Sequence, residues 1–461
     1  MDVTEPAQKP RQGPDERQLR PARPPVSPLL TLLASLLGFA LITLDASVVN
    51  VALPAMGEAL GGGMAGLQWV VDAYVLAFAA LMLSTGAFAD RAGAARAYGI
   101  GIALFTASSV ACGLAPGLGW LIAARVVQGV AAAVILPASL SLVRQAYPDA
   151  ARRARAVSLW AAGGSVALAL GPVAGGALTT AWDWRGIFFV NLPLGAVTLA
   201  LLARAPRAER RPAPLDVPGQ AAAVVALTAL TFAVIEGGAA GAVAGAVAVV
   251  AGALFLRIEA RQPHPVVPLG LFRERTVAVA VAAGIACSIA FYGLIFVFSL
   301  FLQQVQGRSA LQAGLVFLPM TAVIVATNVV AGRLASRYGP RLPMLTGQAI
   351  AVPGLLLLLY VDASTPATLL VLLLVPVGVG VALTIPPLTS AVMEAVPAER
   401  AGVAAGVLNA ARQVSGGLGI ALFGALVDGV AFVPGMRVSF LVGAGVLLAT
   451  AVLTTRLPRR P

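Results

Sequence analysis

The sequence predicts an all-α integral membrane protein of about fourteen transmembrane helices, and three observations carry that prediction. Composition is the first: of 461 residues, 59% are hydrophobic and 11% charged, and mean hydropathy is +0.91. Soluble domains carry about 25% charged residues, so a soluble class is excluded. The second is a succession of apolar runs, each long enough to cross a bilayer. The third is the placing of the net +12 charge, carried almost wholly by Arg in short loops between those runs. Nucleic-acid binding needs basic residues clustered on a folded polar surface, so no nucleic-acid partner is expected and the lipid bilayer is. Cys112 and Cys287 sit inside apolar runs and the single His264 lies between prolines, which leaves no metal site.

Residues 1–28 are polar and rich in Pro and Arg, and read as a disordered cytoplasmic tail. The spans follow at 29–53, 67–88, 97–116, 119–143, 156–179, 187–204, 218–237, 240–257, 277–302, 312–333, 342–361, 366–391, 401–427 and 436–456. With both termini in the cytoplasm, the basic clusters at 91–96, 152–155, 204–211, 257–275, 333–341 and 456–460 all fall inside. Only Arg185, Arg308 and Arg437 of the 31 Lys and Arg fall outside, and an odd number of helices destroys this alternation.

An internal repeat divides the chain. Gly86-Ala87-Phe88-Ala89-Asp90-Arg91-Ala92-Gly93 joins the second and third spans, and Gly332-Arg333-Leu334-Ala335-Ser336-Arg337-Tyr338-Gly339 joins the tenth and eleventh with Gly, Ala, Arg and Gly in register. Two copies in one orientation imply two six-helix halves, 29–204 and 276–461, related by an axis along the membrane normal. Residues 205–275 then form a linker with two extra helices. In such folds the substrate sits near the midplane between the halves, and one half rocks against the other.

Polar residues inside the membrane are expensive and mark pathways. Asp45 lies about nine residues, or roughly 14 Å, below the outer end of the first span. Asp72 on the second span and Arg125 on the fourth lie in the same outer half, with Gln128 one turn below Arg125. On the fifth span Gly164, Gly171 and Gly175 share one face, and Gly176 and Pro172 adjoin it, Pro172 as a bend or weak point. Asn409, Arg412 and Gln413 share a face of the thirteenth span and line an aqueous cavity on this reading, to which Asn50 and Tyr74 are added. Structural alternatives stand beside these roles: Asp45 and Arg125 as a simple bridge, Asp72 as a solvated interfacial acid, the glycines as ordinary packing.

LDASVVNVALP (44–54), GAFADRAG (86–93), RVVQGVAAAVILP (125–137), GGSVALALGPVAGG (163–176), the run Trp184 to Gly195, and GVLNAARQVSGGLG (406–419) together resemble the major facilitator superfamily. The chain is most similar to its fourteen-helix drug:proton antiporter branch. That resemblance implies the major facilitator fold of two six-helix halves plus two inserted helices. It also implies proton-coupled efflux of lipophilic small molecules across the cytoplasmic membrane, by a monomer whose only cofactor is the coupling proton. Asp45, Arg125 and Asp72 are then the proton-coupling residues. Gly86, Asp90, Arg91 and Gly93 form the cytoplasmic gate, and Gly164, Gly171, Pro172, Gly175 and Gly176 the antiporter helix. Asn50, Tyr74, Gln128, Asn409, Arg412 and Gln413 line the substrate cavity. Two departures stand out: Ala94 and Ala95 replace basic residues usual after the loop motif, and Ser336 replaces its acid in the second copy. An importer of the same fold, or a membrane sensor without turnover, are the alternatives. No nucleotide-binding loop or nucleophile–base pair is visible, so an enzyme is not expected.

Overall fold

The computed structural model describes residues 27–203, 216–263, 265, 267–428 and 431–457. The tail at 1–26, the start of the linker at 204–215 and His264 lie outside the described residues, as does the side chain of Asp90. The elements are α1 (Pro28–Leu60), α2 (Gly63–Ala92), α3 (Ala94–Gly113), α4 (Leu118–Ala146), α5 (Ala150–Ala181), α6 (Gly186–Phe189), α7 (Asn191–Leu202), α8 (Val217–Glu236) and α9 (Gly238–Glu259). They continue with α10 (Arg275–Leu300), α11 (Ala310–Tyr338), α12 (Arg341–Leu357), α13 (Ala367–Glu394), α14 (Ala398–Asp428) and α15 (Phe432–Thr454).

Among the described residues, thirteen helices are long and apolar enough to cross a membrane. The fourteenth expected span, 187–204, is the shorter apolar stretch Gly186–Leu202, divided into α6 and α7. Apolar residues sit nearly all round these helices, as burial on one side and lipid on the other require. Lipid withholds any hydrophobic drive between helices, so close packing of small residues has to supply it.

The helix contacts repeat. In the first half α1 packs on α5 and α7, α4 on α2 and α3, and α3 on α7. In the second half α10 packs on α14 and α15, α13 on α11 and α12, and α12 on α15, which is the same pattern. The halves meet along two matching seams, α2 against α14 and α11 against α5. The extra pair, α8 and α9, pack on each other, and α8 lies along α2 and α14. Gln220 of α8 donates to the Ala80 carbonyl and accepts from the Ser84 hydroxyl, which fixes the pair to α2.

The repeated loop motif is visible as geometry. Gly93 (φ 86°) ends α2 and Gly339 (φ 79°) ends α11, both in the left-handed region where a side chain costs about 1–2 kcal/mol. Gly93 also accepts from the amides of Arg96 and Ala97, starting the next helix without a break. In this pair the two glycines matter for the turn, and the residues between them for what the turn presents.

Candidate functional site

The centre of the first half is a buried polar knot in an otherwise apolar bundle. Asp45 of α1 and Arg125 of α4 form an ion pair with Nη1 to Oδ2 at 2.5 Å, both side chains fully buried. Gln128, one turn on from Arg125, accepts from Arg125 Nη1 at 2.8 Å and donates to Asp45 Oδ1 at 2.9 Å. Asn191, at the start of α7, donates to the same Oδ1 at 2.8 Å and to the Ser109 hydroxyl of α3, also at 2.8 Å. Ser109 in turn donates to the Phe188 carbonyl at 3.0 Å. Arg125 Nε donates to the Val70 carbonyl of α2 at 3.1 Å, and its guanidinium lies 4.2 Å from the centroid of the Tyr74 ring.

Two helices, α4 and α7, thus donate to one carboxylate of α1, while α2 and α3 hold those donors in place. Asp45 accepts three hydrogen bonds, two from neutral amides and one from a cation, which is the way a buried charge is made tolerable. Arg125 Nη2 alone among its nitrogens is left without a hydrogen bond to protein.

Gln128 and Tyr74 therefore stand in the knot rather than on a cavity wall. The hydroxyl of Tyr74 donates to the Ile42 carbonyl, its ring covers Arg125, and only 1% of the residue is exposed. Asn50 is buried too, and its carbonyl accepts from Ser299 of α10 at 3.0 Å, placing it in the contact between halves. Ser109 and Asn191 are members that the sequence reading did not single out. An amide in an apolar run was a signal for Asn191. A serine in a membrane helix is too ordinary to be one.

Asp72 does not join the knot. It is fully buried, neither oxygen has a hydrogen-bond partner, and it faces Gly417 of α14 across the seam. A methyl group on Gly417 would stand 3.1 Å from Asp72 Oδ1. The position near the end of the span that made solvation plausible is covered by α14.

The glycines of α5 face two ways. Gly164, Gly171 and Gly175 meet α1 at Phe39, Ser47 and Val48, and a methyl on Gly175 would lie 2.7 Å from the Val48 carbonyl. Gly176 meets α11 instead, 2.5 Å from the Ala310 carbonyl by the same construction, and the Pro172 carbonyl presses on Gly314. Pro172 lies inside α5, which runs on through it from Ala150 to Ala181.

Contacts between halves gather toward the end of the bundle away from the chain termini. There Gln68 Nε2 donates to the Ala421 carbonyl at 2.7 Å, Gln303 Nε2 to the Val51 carbonyl at 3.0 Å, and the Leu311 amide to Thr180 Oγ1 at 3.3 Å. Deeper in, Thr321 donates to the Ala169 carbonyl at 3.2 Å. At mid-depth on α14 the surface opens: Asn409 is exposed, and Arg412 and Gln413 are half-buried. At the terminal end Arg91 is exposed and nothing lies within 4 Å of where a Gly86 methyl would project.

A two-half helical bundle with a sealed ionic knot in one half and polar residues on the facing helix has the architecture of a secondary transporter. The comparisons agree: a family model described as Major Facilitator Superfamily matches residues 35–420, and the chain belongs to that superfamily. It is 41% identical over 406 residues to the multidrug resistance protein Stp of Mycobacterium tuberculosis, covering 86% of this chain and 75% of that one. Over 440 residues it is 37% identical to the methylenomycin A resistance protein of Streptomyces coelicolor, covering 94% and 92%. The solved structure of a D-xylose-proton symporter superposes with a TM-score of 0.68 at 15% identity, over 94% of this chain and 98% of that one. At that identity the likeness is one of fold.

Proposed function

We propose that the chain is a proton-coupled antiporter that expels lipophilic small molecules, drugs or antibiotics, across the cytoplasmic membrane by alternating access. It works as a monomer with both termini in the cytoplasm and the proton as its only coupling ion. The observation that carries the reading is the buried knot in which Asp45 meets Arg125 through one oxygen. The resistance-protein names of relatives covering most of the chain supply the substrate class and the direction.

With the termini inside, the contacts at Gln68, Gln303 and Gly176 close the extracellular side, and the polar face of α14 is reached from the cytoplasm. Opening the extracellular side parts α5 from α11 and α2 from α14, and admits water to the knot. A proton that binds Asp45 there displaces Arg125. Return to the inward state restores the pair and releases the proton inside. Proton and substrate favour opposite states, so each drives the other. One charge crossing 100 mV supplies about 2.3 kcal/mol before any pH gradient is added. Asp72, buried at the seam that must open, is the second candidate proton site.

The test uses everted vesicles holding the full chain, with an imposed gradient acid inside and a dye that reports it. Lipophilic drugs that are substrates discharge the gradient as they are taken up, and Asp45→Asn abolishes the response. An Asp45→Asn protein that still accumulates drug against a gradient overturns the coupling role.

A further inference from the structure

We infer that Arg412, with Asn409 and Gln413, is an anion subsite, and that the substrates exported carry an acidic group (a carboxylate or an acidic enol) on an apolar body. This rests on the export reading above and narrows it.

Four charged side chains lie well inside the described helices: Asp45, Arg125, Asp72 and Arg412. Asp45 and Arg125 form an ion pair with each other, and among the described residues the only other ion pair is Arg185 with Asp183, outside the spans. That leaves Asp72, facing α14 across the seam between the halves, and Arg412, lying against α10, as single charges, and they do not pair. They differ in what they can do about it. An aspartate becomes neutral by taking up a proton, whereas arginine stays protonated in proteins. An unpaired guanidinium in a membrane therefore needs an anion or water beside it.

The surroundings fit an anion that comes and goes. Arg412 Nε is buried without a partner, and the only hydrogen bond of Nη1 is a long one, 3.4 Å to Asn409 Oδ1. Gly284 of α10 makes room for the stem, since a methyl there would approach Arg412 Cγ to 3.1 Å. Asn409 is exposed one turn before and Gln413 is half-buried at the next position, so two amide side chains lie on the same stretch of α14. A guanidinium offers paired N–H donors whose spacing matches a carboxylate, and such charge-assisted bonds are the strong ones. Lipid headgroups are too far away: Arg412 is midway along the 31 residues of α14, about 20 Å from either end. Tyr292 of α10 packs against Gly416, one turn on, and supplies an apolar wall for the body of the molecule.

Three dansyl probes that share a fluorophore and differ in the head group make the test: dansyl-phenylalanine, its methyl ester and dansylcadaverine, an ammonium. Binding is read from fluorescence with the full chain in nanodiscs, and accumulation in everted vesicles under a proton gradient. The acid binds about tenfold or more tightly than the ester. Arg412→Gln removes that preference and leaves ester binding in place, while Arg412→Lys retains part of it. Preferred binding of the ester or the ammonium overturns the inference, as does an acid preference unchanged in Arg412→Gln. If ester and ammonium are accumulated and the acid is not, the anion subsite is wrong and the export reading stands. If none of the three is bound or moved, both fall.

Discussion

The knot around Asp45 is an interaction in which removing one partner costs more than the pair contributes. Arg125→Ala leaves a carboxylate buried with only the Gln128 and Asn191 amides, and broken buried pairs lose about 3–5 kcal/mol. The expected outcome is a sharp fall in detergent-solubilised folded yield and no resistance in cells. Asn191→Leu removes one neutral donor from Asp45 and one from Ser109, and is expected to cost about 1–3 kcal/mol. It folds, with a lower unfolding temperature than the parent and impaired drug-driven proton movement. Asp72 behaves in the opposite way. Its carboxylate accepts nothing, so Asp72→Asn leaves the unfolding temperature within about 2–4 °C while reducing the protons moved per drug. A large loss of stability in Asp72→Asn shows that the side chain is structural. Asp45, Arg125 and Gln128 were legible in the sequence because each is costly in an apolar helix and so stands out. The pairing of Asp45 with Arg125 stood as one of the sequence readings, but that Asp72 turns away from it toward α14 was not legible, since depth along a helix says nothing of the direction a side chain takes around it.

Helix α5 carries the clearest claim at the scale of an element, because its glycines are defined by what they touch. Gly175 lies against the backbone of α1 inside one half, and Gly176 against that of α11 across the halves. A leucine at 175 breaks packing that is present in every state, and is expected to lower folded yield. In the proposed cycle a leucine at 176 opposes only the state in which the extracellular side is closed. Gly176→Leu is therefore expected to fold, to hold the extracellular end open, and to let protons through in vesicles without drug. Cysteine accessibility at Leu311 from outside rises with it. A Gly176→Leu protein as proton-tight as the parent removes the sealing role from this glycine. The spacing of seven and four made the α1-facing stripe legible. Gly176, one position off that stripe, faces a neighbour that no helical spacing reveals. The loop glycines divide similarly: Gly93 has a required positive φ, whereas Gly86 has none and open space before it. Gly93→Ala costs about 1–2 kcal/mol and Gly86→Ala almost nothing in folded yield.

At the scale of the whole molecule, the repeated contact pattern and the two matching seams place the proposed rocking along the α5–α11 and α2–α14 lines. The sequence showed the repeat through its two loop copies and the spans through hydropathy. It did not show that the sixth span divides at Val190, or that α8 would lie along the α2–α14 seam, because both depend on what surrounds an apolar run and lipid and protein look alike to hydropathy. The proposed rocking has a direct consequence at the end proposed to face outward, where Thr180 and Leu311 are held by a hydrogen bond of 3.3 Å. Cysteines at both positions are then close in the closed state and apart in the open one. The native Cys112 and Cys287 are both buried, so they interfere little with an oxidant applied outside. Oxidation of Thr180→Cys/Leu311→Cys is expected to stop export, and a reductant to restore it, while each single variant is unaffected. Drug binding measured from the cytoplasmic side persists in the oxidised protein, because the face carrying Arg412 stays open. If the cross-linked protein still exports, the halves do not part at this seam, and alternation must run through some other motion.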